Sequence, residues 1–309
     1  MGKDDGVLAG AIEAGGTKFV CAVGTGPDDI SRAELPTRGD PAQVLSRVTG
    51  WLRQQERVRG KINAVGMGCF GPIDLNRESP TYGSILSTPK PNWTNFDIVG
   101  TVQNAFPNVP IGFDTDVNAA ALGEYYWGNA RGLEDFVYIT IGTGIGAGGM
   151  SGGHLLHGLS HPEMGHIMLP RVPGDTFEGV CPFHGACWEG LCSGPALLRR
   201  AGSPAEVLPA DHECWSVQAQ YIGYAIANIV CILSPKRVII GGSVQKAGNL
   251  GSERFFQMIR ERVRESLKGY IVVPELEEGI DGFIVPPVLG DTAGICGALS
   301  LAIRARDRL

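Results

Sequence analysis

The sequence predicts an α/β protein, in which strands and helices alternate along the chain and pack in layers. Short apolar runs of the kind found in buried strands alternate with longer segments whose apolar residues recur at helical spacing. A strand, a Gly/Thr turn and a second strand occur twice, at residues 7–23 and 136–150. A chain of 309 residues is longer than one hydrophobic core usually requires, so we expect two lobes.

The first half of the chain is predicted to begin with strands and then to alternate. Strands are predicted at residues 7–14, 18–23, 31–36, 62–69 and 109–113. A helix is predicted to start at Asp40, an N-cap aspartate that Pro41 follows at the first helical position. Further helices are predicted at residues 98–106 and at residues 117–127, which are rich in alanine.

The second half repeats this alternation with longer helices. Strands are predicted at residues 136–141, 147–150, 237–240 and 283–285, and helices at residues 215–233 and 252–267. A glycine turn and a closing helix follow at residues 290–304. The two halves therefore share a topology more than a repeated sequence.

Composition and charge exclude several classes of protein. The net charge of -6 argues against nucleic-acid binding, which needs a basic face to neutralise phosphates. The best candidate for a membrane span, residues 225–233, is far shorter than the roughly 20 apolar residues required and contains Asn228. The N-terminus lacks the basic and apolar regions of a signal peptide, so we expect no membrane association and a cytoplasmic location.

Four side chains in the segment 161–195 form a candidate metal site: His166, Cys181, His184 and Cys187. Thiolate and imidazole ligands favour tetrahedral zinc, and four protein ligands favour a structural over a catalytic site. A disulfide between the two cysteines, or two unrelated buried thiols, are the alternatives. Most other cysteines lie singly in apolar segments, which is typical of reduced core thiols.

Two acidic residues lie beside this candidate site. Glu163 is three residues before His166, and Glu189 is two residues after Cys187. A structural zinc could therefore hold both side chains toward a shared ligand.

Two glycine-rich turns are candidate phosphate sites, and each contains a threonine: Gly15-Gly16-Thr17 and Gly142-Thr143-Gly144. Backbone N–H groups in such a turn can donate to phosphate oxygens, and the threonine hydroxyl adds a donor. A plain hairpin explains either turn alone, but the pair could clamp a polyphosphate from opposite sides. The sequence contains neither a P-loop motif nor a dinucleotide fingerprint after the first strand.

The segment D-T-D-V-N, residues 114–118, is the best source of a catalytic base. It lies where a strand ends and a helix begins, which is the usual position of a site residue in an α/β sheet. We favour Asp116 as a base for an acceptor hydroxyl. Asp114 or Asp116 could instead serve only as the N-cap of the helix.

Taken together, these motifs resemble the ROK (repressor, open reading frame, kinase) family of sugar kinases, and most closely its bacterial zinc-containing fructokinases. The resemblance covers about residues 9–300 and rests on E-A-G-G-T-K, G-P-I-D, D-T-D-V-N-A-A-A-L-G-E, I-G-T-G-I-G-A-G, T-Y-G-S-I-L-S-T-P-K-P-N-W, H-P-E-M-G-H, C-P-F-H-G-A-C-W-E-G and S-G-P-A. It implies a hexokinase/actin-like (ribonuclease H-like) fold of two α/β lobes around a deep cleft, with a structural zinc knuckle. The implied lobes are residues 1–115 with 291–309, and residues 116–290 with a zinc-binding insertion at 161–195.

The resemblance also implies an activity. ATP with Mg²⁺ would phosphorylate a hexose, with fructose at its C6 hydroxyl as the favoured acceptor, and the protein would form a homodimer. Asp116 matches the catalytic base. The nucleotide positions are Gly15, Gly16, Thr17, Lys18, Gly142, Thr143, Gly144, Gly241 and Gly242. The sugar positions are Gly71, Pro72, Thr115, Asp116, Glu163, His166 and Glu189, and His166 is also a zinc ligand.

Three positions depart from the pattern of many relatives. Glu13 replaces an aspartate and could shift how Mg²⁺ or its water is held. Thr115 replaces an asparagine that could bind a sugar hydroxyl, and His184 replaces a cysteine of the knuckle.

Two alternative functions stay open. A mannokinase or a broad-specificity glucokinase is the first, because hydroxyl geometry at one carbon is hard to discriminate. A non-catalytic sugar-sensing regulator is the second. Regulators of this family carry a helix-turn-helix domain first, and a strand starting near residue 7 leaves no room for one.

Overall fold

The computed structural model describes residues 7–88 and 90–307. The strands are β1 (Ala9–Ala14), β2 (Lys18–Gly26), β3 (Asp29–Pro36), β4 (Ala64–Cys69), β5 (Ser84–Ile85), β6 (Phe96–Asp97), β7 (Ile111–Thr115), β8 (Phe136–Ile141), β9 (Ile145–Ser151), β10 (His154–Leu155), β11 (Val238–Gly241) and β12 (Ile284–Val285). The helices are α1 (Pro41–Arg59), α2 (Ile98–Ala105), α3 (Asp116–Trp127), α4 (Trp188–Cys192), α5 (Gly194–Ala201), α6 (Cys214–Leu233), α7 (Ser252–Leu267), α8 (Ile280–Phe283) and α9 (Ala293–Arg306).

The chain forms two compact units. The first comprises Met1–Gly132, Leu156–His161 and Asp291–Leu309, and the second comprises Leu133–Leu155 and Pro162–Gly290. The lobes predicted from the sequence stay a prediction. The compact units differ from them because α3 and residues 156–161 belong to the first unit.

Each unit contains a five-stranded sheet among the described residues, and the two sheets have the same topology. The order is β3-β2-β1-β4-β7 in the first unit and β10-β9-β8-β11-β12 in the second. In both, the first three strands in sequence are antiparallel and the last two add in parallel. The strand, turn and strand pattern found twice in the sequence is thus the start of two sheets of identical order.

The register brings the carboxyl ends of three strands of the first unit together. Ala14 of β1 is paired with Cys69 of β4, and Cys69 is paired with Thr115 of β7. The segments that follow these strands, which include G-G-T, F-G-P and D-V-N, therefore lie along one edge of the sheet. In α/β sheets this edge is where ligands usually bind.

Helix α1 begins as the sequence predicts. The Asp40 side chain accepts a hydrogen bond from the Gln43 backbone N–H at 3.0 Å, and Pro41 is in the first turn. Its buried face, which includes Val44, Leu45 and Val48, packs into the core of the first unit. The short hairpin of β5 and β6 and the helices α4 and α5 were not predicted, because they are too short to show a hydrophobic period.

Helix α9 packs closely against α3 and β4 in the first unit. A Cβ on Gly297 would lie 1.7 Å from the Ala119 carbonyl oxygen, and one on Gly66 would lie 1.8 Å from that of Ala298. These two glycines permit the approach of the helices to each other and to the sheet.

Helix α6 is the described helix that is long and apolar enough to cross a membrane, with a mean hydropathy of 1.3. The prediction from residues 225–233 underestimated this apolar segment. More than half of it is buried inside the second unit, with Trp215, Ile222 and Ile226 in the core. A buried core helix passes the same test of length and hydropathy, so α6 is weak evidence for a membrane span.

Candidate active site and metal centre

The turn between β1 and β2 presents open backbone at the edge of the first sheet. The Gly15 N–H donates to the Lys18 carbonyl at 3.0 Å, and the Thr37 hydroxyl donates to the Gly15 carbonyl at 2.9 Å. Gly16 and Thr17 are exposed. The Lys18 ammonium of β2 lies 2.7 Å from the Glu34 carboxylate of β3 in an exposed ion pair, so this predicted nucleotide ligand already has a partner.

Asp116 is the first residue of α3, directly after β7. Its carboxylate accepts a hydrogen bond from the Val117 N–H at 2.8 Å. Burial raises the pKa of Asp116 to about 6, although the Val117 N–H and the Lys90 ammonium oppose this shift. Desolvation penalises the charged form, and this outweighs the nearby donors.

Glu13 lies on β1 and is a second partly buried acid in this region. Burial, followed by the charge of Asp116, raises the pKa of Glu13 to about 7. Two carboxylates that interact in this way resist simultaneous ionisation. A Cβ on Gly294 would lie 2.4 Å from the Glu13 carboxylate, so glycine at the start of α9 leaves room for the longer acid.

Thr115 serves as the N-cap of α3. Its hydroxyl accepts a hydrogen bond from the Asn118 N–H at 3.1 Å, and the residue is only 3% exposed. Neither Asp114 nor Asp116, the two caps considered from the sequence, has this position. The predicted contact of Thr115 with a sugar stays a prediction, and its hydroxyl is already engaged in the helix cap.

The sequence did not reveal a cluster near the candidate base in which the buried Asp114 and Asn118 meet the exposed His157. The Asp114 carboxylate lies 2.9 Å from His157 Nε2 and accepts from the Asn118 amide at 2.8 Å. The hydrogen bond to Asp114 raises the pKa of His157. His157 is 43 residues from Asp114 in sequence, so local sequence patterns do not predict this pair. The one available signal is that His157 lies close to the motif H-P-E-M-G-H.

The loop after β4 contacts the start of H-P-E-M-G-H. The Gly71–Pro72 peptide bond is cis, and the Leu86 N–H donates to the Pro72 carbonyl at 2.8 Å. The Ile73 N–H donates to Nε2 of the buried His161 at 3.1 Å. Two motifs 88 residues apart are thereby joined within the first unit.

In the second unit the predicted nucleotide glycines lie at one edge of the sheet. The Gly142 N–H donates to the Gly144 carbonyl at 2.9 Å, and the Gly194 N–H donates to the Gly142 carbonyl at 2.7 Å. Gly241 ends β11, which pairs with β8. Gly242 has a φ of 90°, and a Cβ there would lie 2.3 Å from the Ile141 carbonyl oxygen. Only glycine fits this close approach of two turns.

Glu189 connects this edge to the cysteine-rich segment. It lies in the first turn of α4, and its carboxylate accepts from the Ile145 N–H at 2.9 Å. A Cβ on Gly144 would lie 2.6 Å from the same carboxylate oxygen. A predicted sugar ligand therefore touches a predicted nucleotide turn. Glu163 is exposed, and its carbonyl accepts from the His166 N–H at 3.0 Å.

The four predicted metal ligands meet in the second unit. His166 Nδ1 lies 3.5 Å from Cys187 Sγ and 3.7 Å from Cys181 Sγ, and His184 Nδ1 lies 3.6 Å from Cys181 Sγ. All four ligand atoms lie within 4.8 Å of one another. Both cysteines are free thiols, so the alternative disulfide is not formed.

These distances fit a tetrahedral site. Zn–S bonds of about 2.3 Å and Zn–N bonds of about 2.0 Å at tetrahedral angles separate sulfur and nitrogen by about 3.6 Å. The cluster could therefore hold a metal ion. Cys187 is also the N-cap residue of α4, which links the cluster directly to the helix of Glu189.

The sequence and structure are similar to those of known sugar kinases. The fructokinase of Pediococcus pentosaceus is 41% identical over 96% of this chain and 98% of its own. The fructokinase of Streptococcus mutans serotype c (strain ATCC 700610 / UA159) is 38% identical over 97% of this chain and 99% of its own.

The crystal structure of a ROK family glucokinase from Streptomyces griseus, in complex with glucose and AMPPNP, superposes with a TM-score of 0.74. It is 25% identical to this chain, and the match covers 96% of this chain and 99% of that one. The hexokinase/actin-like fold expected from the sequence is therefore confirmed. The model of the ROK family matches residues 9–305, and the chain belongs to the ROK family.

Proposed function

We propose that the protein is an ATP-dependent fructokinase that transfers the γ-phosphate of ATP to the C6 hydroxyl of fructose. The observation that carries the proposal is the position of Asp116, a carboxylate with a pKa near 6 that follows a parallel strand at the sheet edge. The similarity to fructokinases over nearly the whole chain supports fructose as the acceptor.

In this reaction Asp116 acts as the general base. Its carboxylate accepts the proton of the sugar hydroxyl while the hydroxyl oxygen forms a bond to the γ-phosphorus. The bond from that phosphorus to the bridging oxygen breaks, and ADP leaves. A base with a pKa near 6 is mostly ionised at neutral pH yet basic enough to take a proton, and such catalysis contributes about 10²–10⁴-fold.

Each unit has glycine turns that can donate hydrogen bonds to the phosphates of a nucleotide. On the first unit, the exposed Gly16 and Thr17 offer backbone donors and a hydroxyl, and Gly15, whose N–H already donates to the Lys18 carbonyl, shapes the turn. Gly142, Thr143, Gly144, Gly241 and Gly242 supply the second set. Lys18 would have to leave Glu34 to reach a phosphate. Mg²⁺ arrives with ATP. Glu13 is near enough to Asp116 for that charge to raise its pKa, and it is suited to hold a water of the Mg²⁺.

The sugar is bound by Gly71, Pro72, Thr115, Glu163, His166 and Glu189. A structural zinc would fix two of these sugar ligands, His166 and Glu189. The zinc ligands would be His166, Cys181, His184 and Cys187. His166 turns Nδ1 toward the thiols, which leaves Nε2 for a sugar hydroxyl. When bound, zinc supplies a rigid support and no step of the reaction. We also propose a cytoplasmic homodimer.

A coupled ADP-release assay across fructose, mannose, glucose and N-acetylmannosamine tests the proposal. We expect fructose to give the highest kcat/KM, and ³¹P and ¹³C NMR of the product to show phosphate on C6.

Asp116→Asn should lower kcat by about 10²–10⁴-fold and leave AMPPNP binding largely intact. Asp28→Asn, at an exposed turn, is the matched control. Near-normal turnover by Asp116→Asn would contradict its role as the base, and higher kcat/KM with mannose or glucose would contradict fructose.

A further inference from the structure

The segment 81–93 contains a lysine that the proposed mechanism leaves unused. Lys90 lies on the loop between β5 and β6, and the buried Trp93 anchors this loop. The Trp93 ring stacks on Phe19 at 5.5 Å between centroids and meets the edge of Phe70 at 5.8 Å. Phe19 follows the Gly15–Thr17 turn and Phe70 precedes Gly71, so the anchor joins the loop to the candidate site.

This anchor places the Lys90 ammonium against the first glycine turn. A Cβ on Gly16 would lie 2.3 Å from Lys90 Nζ and 2.9 Å from its Cε. The ammonium also lies 5.0 Å from the centroid of the Phe70 ring. Glycine at position 16 therefore has a second consequence besides its exposed backbone, because it lets a cation reach the turn.

Among the residues that the structure describes, the Lys90 ammonium has no acidic partner. Within residues 7–88 and 90–307, it has no carboxylate oxygen within 4.0 Å and no hydrogen-bond acceptor. The residue is half-buried, and an unpaired charge there costs free energy unless a ligand of opposite charge pairs with it. Its charge reaches Asp116, whose pKa it lowers. The ammonium thus lies against the Gly15–Thr17 turn, and its charge acts on the proposed base.

We propose that Lys90 is a further catalytic residue, whose ammonium binds the γ-phosphoryl group during its transfer. This inference rests on the proposed kinase function. In phosphoryl transfer, negative charge on the transferred group is stabilised by placed cations, and a lysine acts as a point charge on phosphate. The other role available to Lys90 is packing on Phe70 alone, and a variant that keeps the stem but removes the charge distinguishes the two.

Binding calorimetry with Lys90→Met is the direct test, because methionine preserves most of the apolar stem. We expect affinity for Mg²⁺-AMPPNP to fall about tenfold or more, and affinity for Mg²⁺-ADP to change by less than about twofold. Only AMPPNP has the γ-phosphoryl group. Equal losses for the two nucleotides, or no loss for either, would overturn the inference.

Kinetics provide a second measurement. Lys90→Met should lower kcat by about 10²–10³-fold with little change in the KM for fructose, and Lys90→Arg should restore part of the loss. The acidic limb of the kcat/KM profile should also move to higher pH, because the ammonium lowers the pKa of Asp116. A kcat within threefold of wild type would contradict the proposed catalytic role.

Lys236→Met is the matched control, since its exposed ammonium lies 3.9 Å from the Asp135 carboxylate on the surface of the second unit. It should leave binding and turnover unchanged. If the wild-type protein binds AMPPNP through Lys90 but phosphorylates none of the four sugars, the proposed fructokinase function fails while γ-phosphoryl binding stands. If the wild type is an active kinase and Lys90→Met is unchanged, the inference fails alone.

Discussion

At the scale of residues, the proposed reaction depends on two neighbouring carboxylates of the first unit. Asp116 and Glu13 both have pKa values raised chiefly by burial, to about 6 and about 7. Burial is the largest cause for both, and the charge of Asp116 raises the pKa of Glu13 further. As the pH rises, Asp116 therefore ionises first, and Glu13 is still partly protonated when the base is ready.

This order predicts the pH dependence of the reaction. The base must be ionised, so kcat/KM for fructose should fall as the pH drops through about 6. Rate measurements from pH 5 to 9 at saturating Mg²⁺-ATP would show this limb. Glu13→Gln should leave the limb near pH 6, because Glu13 is neutral there, and should remove any further change near pH 7. If Glu13→Gln loses the limb near pH 6, that limb belongs to Glu13 and its assignment to Asp116 is wrong.

At the scale of elements, the segment 161–195 is held in the second unit by two sets of contacts. One is the metal cluster, which includes the N-cap residue of α4. The other is Asp175, which pairs with Arg200 of α5 at 2.5 Å and accepts from the Tyr221 hydroxyl of α6 at 2.5 Å. An irregular segment gains a fixed conformation from such contacts, and Glu189 is thereby held on the Ile145 N–H.

The candidate metal cluster predicts how much zinc the protein binds and what the loss of one ligand does to the kinetics. Elemental analysis should find about one zinc per chain, as one four-ligand site requires. Cys187→Ser should lose the zinc and raise the KM for fructose about tenfold or more, with a smaller effect on the KM for ATP.

Cys231→Ser is the matched control, because Cys231 is the exposed cysteine of α6. It should keep both the metal and the kinetics. A Cys187→Ser protein that still holds one zinc would refute the ligand assignment.

At the scale of the whole molecule, the same sheet order occurs in both units, and each presents a glycine turn after its first strand. The proposed homodimer belongs to this scale. Among the described residues, the side chains of Leu159, Tyr270 and Val272 are exposed.

Sedimentation equilibrium over a range of protein concentrations tests this expectation. We predict a mass of twice that of one chain at micromolar concentration, since obligate dimers bury apolar surface. A single-chain mass that does not change with concentration would refute the dimer. Lys61→Met, at an exposed lysine, is a control for nonspecific effects of charge.

The sequence by itself determined the elements and the chemistry they carry. Hydrophobic spacing located residues 252–267 and 136–141 with the bounds that the structure has. The cap at Asp40 and the set of four candidate metal ligands also came from the sequence, because caps, turns and ligand spacing depend on residues close together in the chain.

Only the tertiary structure decided the contacts that join distant segments. His157 meets Asp114 across 43 residues, Glu189 meets the Ile145 N–H across 44, and the Lys90 ammonium reaches Gly16 from another loop. Each contact depends on strand order and on which loop folds over which edge. Local periodicity does not encode that order, because it is set by the free energy of packing the whole unit.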